Sequence, residues 1–84
     1  MSGEISNLKN LGPKSTIWLN EIGVFTRSDL ERIGSVEIYR LLTLRGFNVS
    51  LNLVYAIEAA LLDIHWKELP ASDKAELRRL IKGL

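Results

Sequence analysis

The sequence contains no cysteine and only one histidine among 84 residues. Without cysteine, a disulfide framework and a thiolate metal site are excluded. His65 alone cannot anchor a common zinc site. The longest apolar run, residues 51–64, is too short to span a bilayer and contains Asn52, Glu58 and Asp63. These features favour a soluble protein with no cofactor, no metal and no membrane partner.

The chain also lacks a strong charge of either sign. Eleven basic and ten acidic side chains give a net charge of +1, so any contact with nucleic acid would have to be local. Lys74, Arg78 and Lys82 recur at intervals of four residues and form a basic ridge on a helix. Such a ridge is typical of a solvated helix face whose cations lie near the C-terminal end of the helix dipole.

Length and composition predict one small domain over residues 1–84, with residues 1–7 flexible. Hydrophobic residues make up 46% of the chain and charged residues 25%, a globular composition. The first residues, Met1 to Glu4, lack the basic and apolar regions of a signal peptide. We therefore expect a cytoplasmic location.

Almost no stretch alternates apolar and polar residues as a strand does, so we predict an all-α fold, a compact bundle of five to six helices. The predicted helices are a short one ending at Asn10, one from Pro13 to Gly23, one capped by Thr26 and Asp29, one capped by Ser35 and ending at Gly46, one from Leu51 to about Asp63 after the cap Ser50, and a last one capped near Ser72.

The helix after Ser50 is apolar on nearly every face and is predicted to be central. An apolar stripe on the last helix is expected to bury against it; its members are Leu77, Leu80, Ile81 and Leu84. Trp18 and Trp66 are interpreted as aromatic residues in the core or at its edge rather than as platforms for base stacking.

The most informative segment runs from Leu8 to Ser15, where one helix is predicted to end and the next to begin. Gly12 can adopt a backbone conformation closed to other residues, and Pro13 suits the first turn of a helix. Lys14 adds positive charge where backbone N–H groups point outward, as in a phosphate-binding hairpin. An ordinary glycine-proline helix boundary explains the segment as well.

A similar pattern follows later in the chain. Leu8, Leu11 and Gly12 share their spacing with Leu30, Ile33 and Gly34. Two helix-turn-helix units in tandem, or simply two helices that end in glycine, account for this repetition.

The segment from Asn10 to Ser15 resembles the hairpin of helix-hairpin-helix proteins, with Asn10 in the place of their first glycine, as in the C-terminal domain of the bacterial RNA polymerase alpha subunit. Over residues 8–82 the chain more specifically resembles the C-terminal domain of the TfoX/Sxy family. The matching segments are Leu11-Gly12-Pro13-Lys14-Ser15, Trp18-Leu19, Ile22-Gly23, Asp29-Leu30, Gly34-Ser35-Val36-Glu37, Tyr39-Arg40, Ser50-Leu51-Asn52-Leu53, Ala56-Ile57-Glu58, Ala60-Leu61 and Trp66 to Pro70.

This resemblance implies an all-helical domain with helix-hairpin-helix-like units, from a family whose best-known members regulate natural competence in bacteria. Those regulators promote expression of DNA-uptake genes together with a cyclic-AMP-dependent activator. At 84 residues the chain has no room for the N-terminal domain of the full-length regulators, so we expect a stand-alone relative whose role can differ from competence.

Two functions are therefore expected, neither of them enzymatic and neither with a small-molecule substrate. In the first, the domain binds DNA weakly and without sequence preference. The candidate DNA-binding residues are Gly12, Lys14, Ser15, Arg32, Arg40, Lys74, Arg78 and Lys82. In the second, it docks on a protein of the transcription machinery or on itself. In either case we expect a monomer or a weak homodimer.

Overall fold

The computed structural model describes residues 11–84, which contain five α-helices, one 3₁₀ turn and no strand. The expected all-α class is confirmed. The helix predicted to end at Asn10 and the prediction that residues 1–7 are flexible both concern residues outside the described part of the chain. The helices are α1 (Pro13–Glu21), α2 (Arg27–Ile33), α3 (Ser35–Leu44), α4 (Leu51–Leu61) and α5 (Ala71–Lys82), and the 3₁₀ turn is Trp66–Glu68.

The start of α2 agrees with the sequence prediction. The hydroxyl of Thr26 accepts a hydrogen bond from the amide of Asp29, and the Asp29 carboxylate accepts one from the amide of Thr26 in return. This reciprocal capping satisfies two amides that would otherwise have no partner inside the helix.

Of the three other predicted caps, one is wrong, one is correct in position but makes no side-chain hydrogen bond, and one lies two residues earlier than Ser72. Gly34, not Ser35, is the N-cap of α3, because its positive φ of 85° turns the chain directly from α2 into α3. Ser35 is the first helical residue and is buried. Ser50 occupies the N-cap position of α4, but its hydroxyl caps no amide. The N-cap of α5 is Pro70, so Ser72 already lies within the helix.

The predicted ends of α1, α3 and α4 each lie two residues beyond the observed ends. Gly23 follows α1 in a turn with a φ of 83°, and Gly46 follows α3 in the same way with a φ of 90°. Asp63, after α4, has a φ of 57°. Aspartate is among the few residues that adopt this left-handed conformation at small cost, so it ends the helix region much as a glycine would.

Helix α4 is central, as predicted. It contacts α2, α3, the 3₁₀ turn and α5, and it supplies side chains to two buried clusters. The larger cluster contains Leu11, Leu19, Val24, Leu30, Ile38, Leu42, Ala56, Ile57 and Ala60. The smaller one contains Val54, Tyr55, Leu69 and Leu77. Because α4 supplies side chains to both clusters, it connects the elements that pack in each of them.

The apolar stripe of α5 buries only in part. Leu77 is 8% exposed and Ile81 packs against the smaller cluster. Leu80 is 39% exposed and Leu84 is also exposed. The expectation that the whole stripe is covered is therefore wrong for these two leucines, because α5 presents only one edge of the stripe to α3 and α4.

Candidate functional site

Helix α1 begins where the sequence predicts, but Gly12 does not have the backbone conformation expected of it. Gly12 is the N-cap, with φ −96° and ψ −176°, an extended conformation that any residue can adopt. A Cβ atom at this position would meet no atom of the described residues within 4 Å. The expectation that Gly12 supplies a conformation closed to other residues is therefore wrong. Pro13 occupies the first helical turn, where its missing N–H costs nothing.

The first turns of α1 and α4 face a shared groove of about 420 Å³. Its described lining residues are Lys14, Ser15, Trp18, Asn48, Ser50, Asn52, Leu53, Ala56 and Trp66. Among residues 11–84, no carboxylate lines the groove, and neither helix has a side-chain cap or an acidic residue in its first turn. The positive, N-terminal ends of the α1 and α4 dipoles therefore border the groove. Neither end is neutralised by a capping side chain or by a carboxylate in the first turn.

Lys14 lines the groove and contacts the ring of Trp18. Its ammonium group lies 5.1 Å from the centroid of the Trp18 ring, within the range of a cation–π contact. The Trp18 ring in turn lies 5.2 Å from the ring of Phe47 and packs against the larger core cluster. This half-buried position agrees with the interpretation of Trp18 as an aromatic at the edge of the core.

Trp66 also lines the groove; it is 39% exposed and belongs to neither buried cluster. Of the two positions expected for Trp66, one within the core is therefore excluded, and one at the edge of the core remains. The ammonium groups of Lys67 and Lys74 lie 5.9 and 5.8 Å from its ring centroid. Lys74 also lies 5.7 Å from the Tyr55 ring centroid. Of the predicted basic ridge, Lys74 is thus the member that comes next to the groove.

The remaining candidate cations do not line the groove. Arg32 is an exposed partner of Asp29 at 3.4 Å on α2. Arg40 pairs closely with the Glu37 carboxylate on α3, and this hydrogen bond raises the pKa of Arg40 and lowers that of Glu37. Because both arginines are engaged with carboxylates of their own helices, the structure does not bring them together with Lys14.

Arg78 and Lys82 are exposed residues of α5 and lie outside the groove lining. Of the eight candidate residues, the structure therefore places Lys14 and Ser15 in the groove and Lys74 beside it. Gly12 adjoins the groove as the residue that precedes α1.

The second glycine turn, between α2 and α3, differs from the first. The hydroxyl of Ser35, the first residue of α3, donates a hydrogen bond of 2.6 Å to the Glu58 carboxylate of α4. Glu37 adds another carboxylate in the first turn of α3. A phosphate at this helix start would meet negative charge. Of the two turns that the sequence suggested were equivalent, only the turn into α1 has the charge pattern for an anion.

Two long-range contacts were not found from the sequence. One is the pair Ser35 and Glu58, and the other is the hydrogen bond of 2.6 Å that the Arg27 guanidinium donates to the carbonyl of Leu61. Asn48, Ser50 and Asn52 were also missed as groove residues. The signal for them was weak, because three polar residues around a helix start are more typical of capping than of binding.

His65 lies in the loop before the 3₁₀ turn, where its Nδ1 atom accepts a hydrogen bond from the Lys67 amide at 3.2 Å. Over residues 11–84, no three histidine or carboxylate side chains are placed to hold a metal ion. In the same part of the chain, no helix is long and apolar enough to cross a membrane.

Two solved structures show the same architecture. An uncharacterised protein from Listeria monocytogenes, in a triclinic crystal form, is 27% identical, with a TM-score of 0.88 over 96% of this chain and 92% of that chain. A protein of unknown function from Listeria monocytogenes, in a tetragonal form, is 28% identical, with a TM-score of 0.86 over 94% of this chain and 98% of that one. No curated protein matches significantly. The family pattern of the TfoX C-terminal domain matches residues 1–81, and the chain belongs to that family.

Proposed function

We propose that this domain is a non-enzymatic regulatory domain that binds DNA weakly and without sequence preference, in the context of transcription or competence. The observation that carries the proposal is the first turn of α1, where Lys14 and Ser15 border a groove that contains no carboxylate among its described lining residues. The N-terminal end of a helix attracts phosphate through its outward amides and its dipole. Lys14 adds a full positive charge at that point.

The small number of suitable cations accounts for the expected weakness. Within residues 11–84, Lys14 lines the groove, and Lys67 and Lys74 lie beside it. Each phosphate that is neutralised releases counterions and adds roughly −0.9 to the slope of log affinity against log salt for duplex DNA. Two or three such contacts give weak binding that rises as salt is lowered.

Protein docking is a second candidate, favoured by a different observation. Leu80, in the last turn of α5, and Leu84, two residues beyond the end of that helix, are exposed. Exposed apolar side chains close together at a helix end suit a partner that covers them. In this alternative the domain docks on a protein of the transcription machinery or on itself, as a monomer or a weak homodimer when isolated.

Fluorescence anisotropy with a labelled DNA duplex at low salt tests the first proposal. We expect measurable binding that weakens with added salt. Lys14→Glu should remove most of it, while circular dichroism shows an unchanged helical fold because the residue is exposed. Lys82→Glu is the matched control, since it makes the same charge change in the last turn of α5 and should have a smaller effect.

If wild type shows no binding at low salt, or if Lys14→Glu binds as well as wild type, the DNA proposal is wrong and the turn is structural. A pull-down from bacterial lysate with and without nuclease separates the alternatives, since a partner that survives nuclease supports protein docking. Sedimentation at several protein concentrations tests the expected weak self-association.

A further inference from the structure

We propose that the groove accepts an unpaired nucleotide, so that the domain prefers single-stranded DNA to duplex DNA. This inference rests on the proposed function, because it assigns a base to the same site that receives the phosphate. A turn that contacts only the phosphate backbone requires no cavity beside it. Here a groove of about 420 Å³ lies directly behind Lys14, a volume in the range of about 300 to 1,000 Å³ that is usual for ligand pockets.

Trp66 is 39% exposed, and the part of its ring that the neighbouring His65 ring, 6.0 Å away, leaves uncovered offers a surface for stacking. It lies at the edge of the groove, and the ammonium groups of Lys67 and Lys74 lie within 6 Å of its centroid. Aromatic rings flanked by cations are the usual binding elements for single strands, because every base has a face that can stack and every nucleotide carries a phosphate. In a duplex the bases are already stacked and paired, so their faces are not available to this ring.

Other lining residues of the groove suit the edge of a base. Asn48 and Asn52 present amide groups that donate and accept hydrogen bonds. Leu53 and Ala56 add apolar surface to the lining. Trp18 is held in place by Phe47 and therefore forms a fixed wall. The groove thus combines apolar surface, amides that tolerate different base edges, and a cation at its rim.

The test compares a single strand of about 12 thymidines with a duplex of the same length by fluorescence anisotropy at low salt. We expect wild type to bind the single strand several-fold more tightly. Trp66→Ala should reduce affinity for the single strand about tenfold and leave affinity for the duplex nearly unchanged. Phe25→Ala is the matched control, because it removes another exposed aromatic ring that does not line the groove.

A second readout needs no destabilising substitution. The chain has two tryptophans. Binding of the single strand should quench tryptophan fluorescence more in wild type than in Trp66→Phe. This variant should retain most of the affinity, because phenylalanine can also stack. If wild type binds both DNAs equally and Lys14→Glu weakens both, the nucleotide site is wrong and the proposed function stands. If neither DNA binds, both are wrong. If Trp66→Ala and Phe25→Ala have equal effects, the assignment of the base to Trp66 is wrong.

Discussion

The hydroxyl of Ser35 donates a hydrogen bond of 2.6 Å to the carboxylate of Glu58, which lies 23 residues away on another helix. Ser35 is 2% exposed and is the only buried polar residue among residues 11–84. The bond joins the start of α3 to the central helix α4. It also places a negative charge at one of the two glycine turns and leaves the other turn, at α1, as the site suited to an anion.

We expect Ser35→Ala to destabilise the fold by about 1–3 kcal/mol, because the Glu58 carboxylate would lose its hydrogen-bond donor in a partly buried position. Urea denaturation monitored by circular dichroism measures the loss. A double-mutant cycle with Glu58→Ala, which removes the acceptor, provides the control. Effects of the two substitutions that simply add would show that the residues are not coupled and would contradict this account.

The two glycines that precede α1 and α3 should respond differently to alanine. Gly34 has φ 85° and ψ 156°, a conformation that is essentially restricted to glycine, so Gly34→Ala should cost about 1–3 kcal/mol. Gly12 is extended and has open space around it, so Gly12→Ala should change stability by less than about 0.5 kcal/mol. Equal losses in thermal unfolding would show that the turn geometry has been misassigned.

The leucines of α5 form another matched pair. Leu77 is 8% exposed and packs with Val54 and Tyr55, whereas Leu80 is 39% exposed. Leu77→Ala should cost about 2–5 kcal/mol through lost burial and a residual cavity. Leu80→Ala should cost about 1 kcal/mol or less in the isolated domain. If Leu80→Ala were the more damaging substitution, α5 would have to be rotated relative to its position here.

Acid should weaken the fold through the capping box of α2. In the folded state, the pKa of Asp29 is lowered most by a hydrogen bond from the amide of Phe25. The Arg32 side chain and the amide of Thr26 lower it further. A lowered folded pKa means that the stabilisation is complete above the ordinary aspartate pKa of about 3.9 and is lost as the pH falls below it.

Stability measured by denaturation between pH 7 and pH 2 should therefore decline at the acidic end. The Asp29→Asn variant is the control, and its decline should be shallower because one titrating group is gone. Glu37 and Glu76 have pKa values lowered by Arg40 and Arg79 and contribute to the decline that remains. An identical acid profile for the variant and wild type would contradict the role assigned to Asp29.

Local signals in the sequence predicted much of the fold. The capping box of Thr26 and Asp29 and the apolar helix after Ser50 depend on residues close in the chain, and both are found where expected. The errors concern tertiary contacts. Ser35 carries the signature of a cap, but its burial against Glu58 decides its role. No periodicity shows that Leu80 faces outward, because that depends on how α5 is oriented against α3 and α4.

The sequence predicted the site residues in the first turn of α1 but not those in α4 and the 3₁₀ turn. Lys14 and Ser15 were found from a local pattern, whereas Trp66 and Asn52 reach the same groove only because the 3₁₀ turn packs on α4. Arg32 and Arg40 were selected by charge alone. Their ion pairs with Asp29 and Glu37 are specific to the folded helices.

The most direct test of the central claim is an NMR titration of the isotope-labelled domain with a short DNA duplex that carries a single-stranded overhang. The account predicts shifts of the backbone amides of Lys14, Ser15 and Asn52 and of the Trp66 indole, with the amides at the start of α3 unaffected because Glu58 lies there. Shifts centred on the start of α3 or on the end of α5, or no shifts at all at low salt, would contradict the claim that DNA binds at the α1 groove.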